Sequence, residues 1–128
     1  MLIERLGYLE DALFDYDASV IRPDAAQALE EDVAVIRRLL AKYPRQMLMI
    51  EGHADERGSA EYNLALGDRR ARAAAEYLQG FGIASSQIEV ISFGKDQPLC
   101  SDAAESCWQL NRRARITAPN MVAIDSTR

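Results

Sequence analysis

Apolar residues recur every three to four positions in two long segments, which is the spacing of an amphipathic helix. The first predicted helix, 23–43, begins at Pro23, a residue suited to the first helical turn, and ends before Pro44. The second, 59–80, begins at Ser59, a candidate N-cap. We expect their apolar stripes to form the core; the stripe residues are Ala26, Leu29, Val33, Ile36, Leu40 and Tyr43, then Leu64, Gly67, Ala71, Ala74 or Ala75, and Leu78.

Four shorter segments, 9–15, 46–51, 88–93 and 111–118, have the apolar runs or alternation of β-strands. The resulting order is β-α-β-α-β-β. With short connections and right-handed crossovers, it predicts an α+β two-layer sandwich, in which a mixed four-stranded sheet carries both helices on one face. Alternation of Arg113, Arg115 and Thr117 with apolar residues predicts that the other face is solvated. The charged run 30–32 is likewise expected to be solvated surface.

Length and composition are those of one ordinary globular domain. The chain has 128 residues, of which 48% are hydrophobic and 27% are charged. We therefore expect a single domain over 1–128, with a core of about 11–118 and a tail of 119–128. The net charge of −5 argues against nucleic acid or an anionic membrane surface as a partner. No apolar run approaches the roughly 18 residues that cross a bilayer.

Cys100 and Cys107 lie in one polar segment, which is expected to be a loop. Their spacing fits a small disulfide loop in an oxidising compartment, whereas a reducing compartment would leave two free thiols. Zinc would need ligands that the single histidine of the chain cannot complete. We favour the disulfide and expect no metal.

Polar residues gather where the second predicted strand gives way to the second helix, a common position for ligands in sheets of this kind. Asp55 follows the strand, and Arg70 lies about three turns into the helix. Asn63 and Arg70 are seven positions apart and therefore share one helix face. A carboxylate beside a guanidinium matches the ammonium and carboxylate of a free amino-acid end. The alternative is an internal Asp55–Arg70 salt bridge.

The segment also raises the possibility of an enzyme, with His53 and Asp55 as a metal or general-base pair. His53 is the only histidine, and one histidine with scattered carboxylates makes a poor catalytic metal site. No nucleophile elbow, phosphate loop or Cys–His couple is present. We therefore expect neither catalysis nor a cofactor.

Several separated motifs resemble those of OmpA-like peptidoglycan-binding domains, and most closely the branch of the peptidoglycan-associated lipoproteins. The central match is Gly52-His53-Ala54-Asp55-Glu56-Arg57-Gly58, followed by Glu61-Tyr62-Asn63, Leu66-Gly67 and Arg69-Arg70-Ala71. Flanking matches are Phe14-Asp15-Tyr16-Asp17, Gly94-Lys95, Pro98 and Asn111-Arg112-Arg113. The resemblance covers about 13–116 and implies the same layered α+β fold.

The resemblance also implies the roles of individual residues. Asp55 would bind the ammonium and Arg70 the carboxylate of a stem-peptide diaminopimelate, while Asn63 would order the loop or contact the peptide. Candidate residues around this pocket are Phe14, Asp15, Asp17, Gly52, His53, Leu66 and Arg112. Of these, Phe14 is expected in the core, with the backbone after it available to a ligand.

The resemblance further implies a periplasmic protein that ties the outer membrane to the cell wall, with Tol-system proteins as candidate partners. The first residues are not a signal peptide, so we expect the membrane anchor to lie in an N-terminal segment outside this sequence. The alternatives are the wall-binding domain of a flagellar stator or of an outer-membrane porin, or a module that mainly binds Tol partners.

Overall fold

Four strands form one mixed sheet in the order β1-β4-β2-β3 in a computed structural model that describes residues 9–119. β2 is parallel to β3 and antiparallel to β4, and β4 is antiparallel to β1. The elements in chain order are β1 (Ala12–Leu13), α1 (Pro23–Lys42), β2 (Leu48–His53), α2 (Ala60–Gly80), a 3₁₀ turn (Ser85–Gln87), β3 (Ile88–Gly94), α3 (Glu105–Asn111) and β4 (Arg113–Thr117).

Local sequence signals account for the ends of the two long helices. Pro23 occupies the first turn of α1. The hydroxyl oxygen of Ser59 caps α2 by accepting a hydrogen bond from the Tyr62 amide at 3.1 Å. After α2, Gly82 adopts a φ of 94°, a left-handed conformation that glycine tolerates better than other residues.

Both long helices pack on one face of the sheet, as predicted. Ile50 of β2 lies opposite Ile116 of β4, and both belong to the single buried core. The helices contribute buried residues to the same core, namely Ala25, Leu29, Val33, Ile36 and Leu39 from α1 and Ala71, Ala74, Ala75 and Leu78 from α2. The predicted α+β class and mixed four-stranded sheet are therefore confirmed, with α3 as an additional helix.

A glycine pair lets α2 approach the sheet closely. A β-carbon on Gly52 would overlap the backbone carbonyl of Gly67. Beside this contact, the Ser92 hydroxyl of β3 donates to the Leu64 carbonyl at 2.7 Å. The first turns of α2 are thereby held next to the end of β2, where the polar segment begins.

Several predicted boundaries are wrong. β1 has two residues instead of seven, and β4 begins at Arg113. β2 continues to His53, because residues 48–53 pair with β3, so Gly52 and His53 belong to the strand and not to the loop. The segment between the cysteines is not all loop, since Cys107 lies in α3. Cys100 and Cys107 form a disulfide, which confirms that hypothesis.

Three burial predictions also fail. Asp32 is 3% exposed because the buried face of α1 extends to the Glu10 backbone. The Glu10 N–H donates a hydrogen bond to the Asp32 carboxylate at 3.1 Å. Arg113 is buried and donates to the Gln97 carbonyl at 3.3 Å, so part of the supposedly solvated sheet face is covered. Leu64 is 50% exposed because the inner face of α2 runs instead through Asn63, Leu66, Gly67 and Arg70.

Between residues 9 and 119, no helix has both the length and the apolar character needed to cross a membrane. Of the predicted tail, only Pro119 is among the described residues.

Candidate functional site

A small cavity lies between the end of β2 and the first turns of α2. Its volume is about 40 Å³, room for only a few water molecules. Five of its lining residues are among those predicted from the sequence: Asp17, Asp55, Asn63, Leu66 and Arg70. The remaining lining residues are Tyr16, Arg57, Gly58 and Tyr62.

Arg70 forms the floor of this cavity and is 0% exposed. Its guanidinium donates to three backbone carbonyls: Nε to Ala18 at 2.8 Å, Nη1 to His53 at 2.9 Å and Nη2 to Asp15 at 3.0 Å. Burial, together with the nearby charge of Arg112, lowers the pKa of Arg70 to about 10. Arg70 is thus a buried cation at neutral pH, and it has more N–H groups than these three contacts use.

Asp55 forms one wall of the cavity and is 4% exposed. It accepts hydrogen bonds from the Arg57 amide at 3.0 Å, from Arg57 Nη2 at 2.8 Å and from Arg112 Nη1 at 3.4 Å. Burial opposes ionisation, but the hydrogen bonds from Arg57 and Arg112 outweigh it and hold the pKa of Asp55 below its ordinary value. Asp55 therefore pairs with Arg57 and Arg112 and not with Arg70.

The backbone of the loop after β2 is held from two sides. Asn63 Nδ2 donates to the Arg57 carbonyl at 2.6 Å, and Lys95 Nζ donates to the Gly58 carbonyl at 2.7 Å. Gly58 has a φ of 95°, in the left-handed region that favours glycine. Asn63 thus orders the loop, whereas its contact with a ligand stays a prediction.

Sequence reasoning missed Arg57 and the residues that contact the two arginines paired with Asp55. The Arg57 guanidinium lies 4.0 Å from the ring centres of both Tyr16 and Trp108. Arg112, which contacts Asp55, also donates to Glu105 at 2.6 Å. The position of Arg57, two residues after Asp55, was a usable signal, because a loop aspartate often accepts from the amide two residues later. Trp108 and Glu105 lie on α3 and had no such signal.

The other predicted pocket residues do not line the cavity. Phe14 is a core residue whose carbonyl accepts from Arg112 Nε at 2.7 Å. Asp15 contributes its carbonyl to Arg70, and Arg112 is buried behind Asp55. Gly52 lies under α2, against Gly67.

The His53 side chain projects away from the cavity, on the side of β2 that also carries Glu51. Its ring stacks on Phe93 with centroids 5.4 Å apart, and its Nε2 lies 3.1 Å from Glu51 Oε1. Burial and the charge of Arg113 lower the pKa of His53, so the ring is neutral at pH 7. Only its carbonyl reaches the site, through Arg70.

A larger groove of about 620 Å³ lies at the beginning of β2 and includes Tyr43, Pro44, Met47 and Met49. Its surface is mostly apolar, and it brings together no buried pair of opposite charges, so we assign the site to the smaller cavity. Within 9–119, no group of three His, Cys, Asp or Glu side chains is arranged to hold a metal ion.

Comparisons with known proteins agree on one family. Residues 13–112 match the family model described as the OmpA family. The chain is 46% identical over 101 residues to the peptidoglycan-associated lipoprotein of Brucella melitensis, an alignment that covers 79% of this chain and 58% of that protein. The chain therefore spans little more than half the length of the curated relatives it matches.

Solved structures show the same fold. The crystal structure of the peptidoglycan-associated lipoprotein from Burkholderia pseudomallei is similar with a TM-score of 0.74 and 33% identity, over 84% of this chain and 88% of that one. The C-terminal domain of Helicobacter pylori MotB has a TM-score of 0.79 over 92% of this chain and 90% of that one. At 18% identity, the second likeness concerns the fold alone.

Proposed function

We propose that this chain, which belongs to the OmpA family, binds peptidoglycan non-covalently and without catalysis. The observation that carries the proposal is the convergence of a buried anion, Asp55, and a buried cation, Arg70, on one cavity. Two buried side chains of opposite charge suit a ligand whose adjoining ammonium and carboxylate can pair with both.

The ligand that best fits this pair is the free amino-acid end of meso-diaminopimelate in a peptidoglycan stem peptide. Its ammonium would be bound by Asp55 and its carboxylate by the remaining N–H groups of Arg70. Both contacts would be charge-assisted and shielded from water, the setting in which such hydrogen bonds are strongest. The carbonyls of Asp15, Ala18 and His53 would keep the guanidinium in place while the ligand binds.

A binding role is also favoured over turnover by the position of His53. The only histidine of the chain projects away from the cavity and contacts Glu51 and Phe93. It is therefore too poorly placed to act as a general base on a ligand held between Asp55 and Arg70.

For the whole protein, we infer the role that the names of its relatives suggest. Relatives named peptidoglycan-associated lipoprotein support a periplasmic protein that links the outer membrane to the wall through a segment outside this sequence. Tol-system proteins stay predicted partners. The likeness to MotB concerns the fold alone and does not favour a stator role.

Co-sedimentation with purified sacculi from a diaminopimelate-type wall tests the proposal. The wild-type chain is expected in the pellet and Asp55→Asn in the supernatant, because Asn keeps the shape but loses the charge. Losing one partner of a buried charged contact typically costs about 2–5 kcal/mol of binding.

Asp68→Asn is the matched control. It makes the same chemical change at a half-exposed position of α2, where Asp68 pairs with Arg72. Circular dichroism establishes that each variant is folded. A folded Asp55→Asn protein that pellets like wild type would refute the assignment of the site.

A further inference from the structure

The two charged residues of the proposed site are closed to solvent. Asp55 is 4% exposed and Arg70 is 0% exposed. The cavity at these residues, at about 40 Å³, is far smaller than the usual pocket of a small-molecule ligand. A ligand therefore has to displace something before it reaches either residue.

The group that covers Asp55 is the Arg57 side chain. Its Nη2 donates to Asp55 Oδ2 at 2.8 Å and its Nε to Oδ1 at 3.3 Å. Its guanidinium lies between the rings of Tyr16 and Trp108, 4.0 Å from each centroid. A cation of the protein thus already occupies the side of Asp55 on which a ligand cation would bind.

This side chain can move without the loop that carries it. The loop backbone is held by Asn63, Lys95 and the Arg57 amide itself, none of which depends on the guanidinium. The Arg57 side chain is 32% exposed, and it faces solvent between two rings that lie on different segments. A ligand ammonium that takes the place of the guanidinium leaves the buried Asp55 carboxylate paired with a cation, so the exchange does not expose an unpaired charge.

We infer that Arg57 is a latch that holds Asp55, and lowers the affinity of the site, until a ligand ammonium replaces its guanidinium. The inference rests on the proposed function and deepens it. Because the ammonium has to displace Arg57, the cost of breaking the Arg57–Asp55 contact offsets part of the binding free energy that the ammonium gains from Asp55. A ligand that also supplies a carboxylate to Arg70 recovers that loss, whereas a simple amine does not. The latch therefore lowers the affinity of both kinds of ligand, so that only a ligand that also pairs with Arg70 binds tightly.

Calorimetry on the full chain with the tripeptide L-alanyl-γ-D-glutamyl-meso-diaminopimelate tests the latch. Arg57→Ala is expected to bind the tripeptide at least about fivefold more tightly than wild type, because the competing cation is gone. The substitution keeps the backbone contacts of the loop. Arg72→Ala is the control, since it makes the same change in net charge at an exposed position of α2.

Trp108, the only tryptophan of the chain, gives a second measurement. In wild type, saturation with the tripeptide should change its emission as Arg57 leaves the ring. In Arg57→Ala, the unliganded emission should already be changed, and the tripeptide should bind in the calorimeter with little further change.

The possible results separate the latch from the proposed function. Suppose that wild type binds, that Asp55→Asn does not, and that Arg57→Ala binds equally well or more weakly than wild type. This result would refute the latch and leave the proposed function standing. Failure of wild type and Arg57→Ala to bind the tripeptide overturns the proposed function and the latch with it. Binding by Arg57→Ala alone supports both.

Discussion

Arg70 has a structural task in addition to the one proposed for it in binding. Its three hydrogen bonds join the carbonyls of Asp15, Ala18 and His53, so one side chain ties the loop after β1 to the end of β2. Removing its guanidinium leaves several buried acceptors without a partner. Substitutions at Arg70 are therefore unsuitable as simple tests of binding.

Arg70→Met is expected to lower the free energy of unfolding by about 3 kcal/mol or more, since each buried group left unpaired costs roughly 1–3 kcal/mol. Urea denaturation measures this. Arg69→Met, at the exposed neighbouring position, should change stability little. If Arg70→Met is as stable as wild type, the carbonyl contacts of Arg70 do not stabilise the fold.

Asp32 is predicted to make folding pH-dependent. Burial, partly offset by the hydrogen bond from Glu10 and reinforced by the charges of Glu10, Asp11 and Glu31, raises the pKa of Asp32 from 3.8 to about 7. Between about pH 4 and pH 7 the unfolded chain therefore releases a proton that the folded chain keeps. The contribution of Asp32 to the free energy of unfolding falls as the pH rises through this window.

Asp32→Asn tests this, because the amide keeps an acceptor for the Glu10 N–H but cannot ionise. Relative to wild type, the free energy of unfolding of the variant should rise by about 4 kcal/mol between about pH 4 and about pH 8, since the pKa is raised by about three units and each unit is worth ~1.4 kcal/mol. Urea denaturation at both pH values measures the gain. Glu31→Gln, at an exposed position nearby, should show little gain in the free energy of unfolding between these pH values. A gain that is the same at both pH values would contradict the raised pKa.

At the scale of elements, the contact of α2 with β2 determines where the site lies. Gly52→Ala is expected to destabilise the fold by about 3 kcal/mol or more, because its methyl would overlap the Gly67 carbonyl and backbone would have to move. Gly80→Ala is the control, since its β-carbon would meet no atom within 4 Å. Alanine in a helix should make Gly80→Ala neutral or slightly stabilising. Equal urea midpoints for the two variants would show that close packing at Gly52 is unimportant.

The elements that could be predicted from the sequence are those determined by residues close together along the chain. The two long helices and β3 follow from apolar spacing and from local signals such as Pro23, Ser59 and Gly94. The seven-residue α3 has no long apolar stripe, and its placement depends on distant contacts such as Arg112 with Asp55. The ends of β1 and β2 depend on pairing with β4 and β3, which spacing along the chain does not contain.

The same distinction holds for the site. Asp55, Asn63 and Arg70 could be expected in one cavity because a short loop and one helix face connect them. Their hydrogen bonds could not be predicted, since Asp55 pairs with Arg57 and Arg112 and not with Arg70. The covering rings of Tyr16 and Trp108 come from segments that meet only in the folded chain.

At the scale of the molecule, this is an acidic domain whose proposed site buries an anion and a cation where β2, an interior strand of the sheet, ends. Charge alone does not explain selectivity, because any amine is attracted to Asp55. The central claim is that the site recognises both charges of one amino-acid end. That claim predicts a preference for diaminopimelate over lysine at the same position of the stem peptide.

Calorimetric titration of the wild-type chain with two tripeptides that differ only at this position tests the claim most directly. The lysine side chain ends in ammonium alone and would leave Arg70 without its anion. We expect the lysine peptide to bind at least ~tenfold more weakly, the equivalent of ~1.4 kcal/mol. Amidating the diaminopimelate carboxylate that adjoins the free ammonium should also weaken binding. Equal affinities for all three peptides would contradict the account, since Arg70 would then not be recognising a carboxylate.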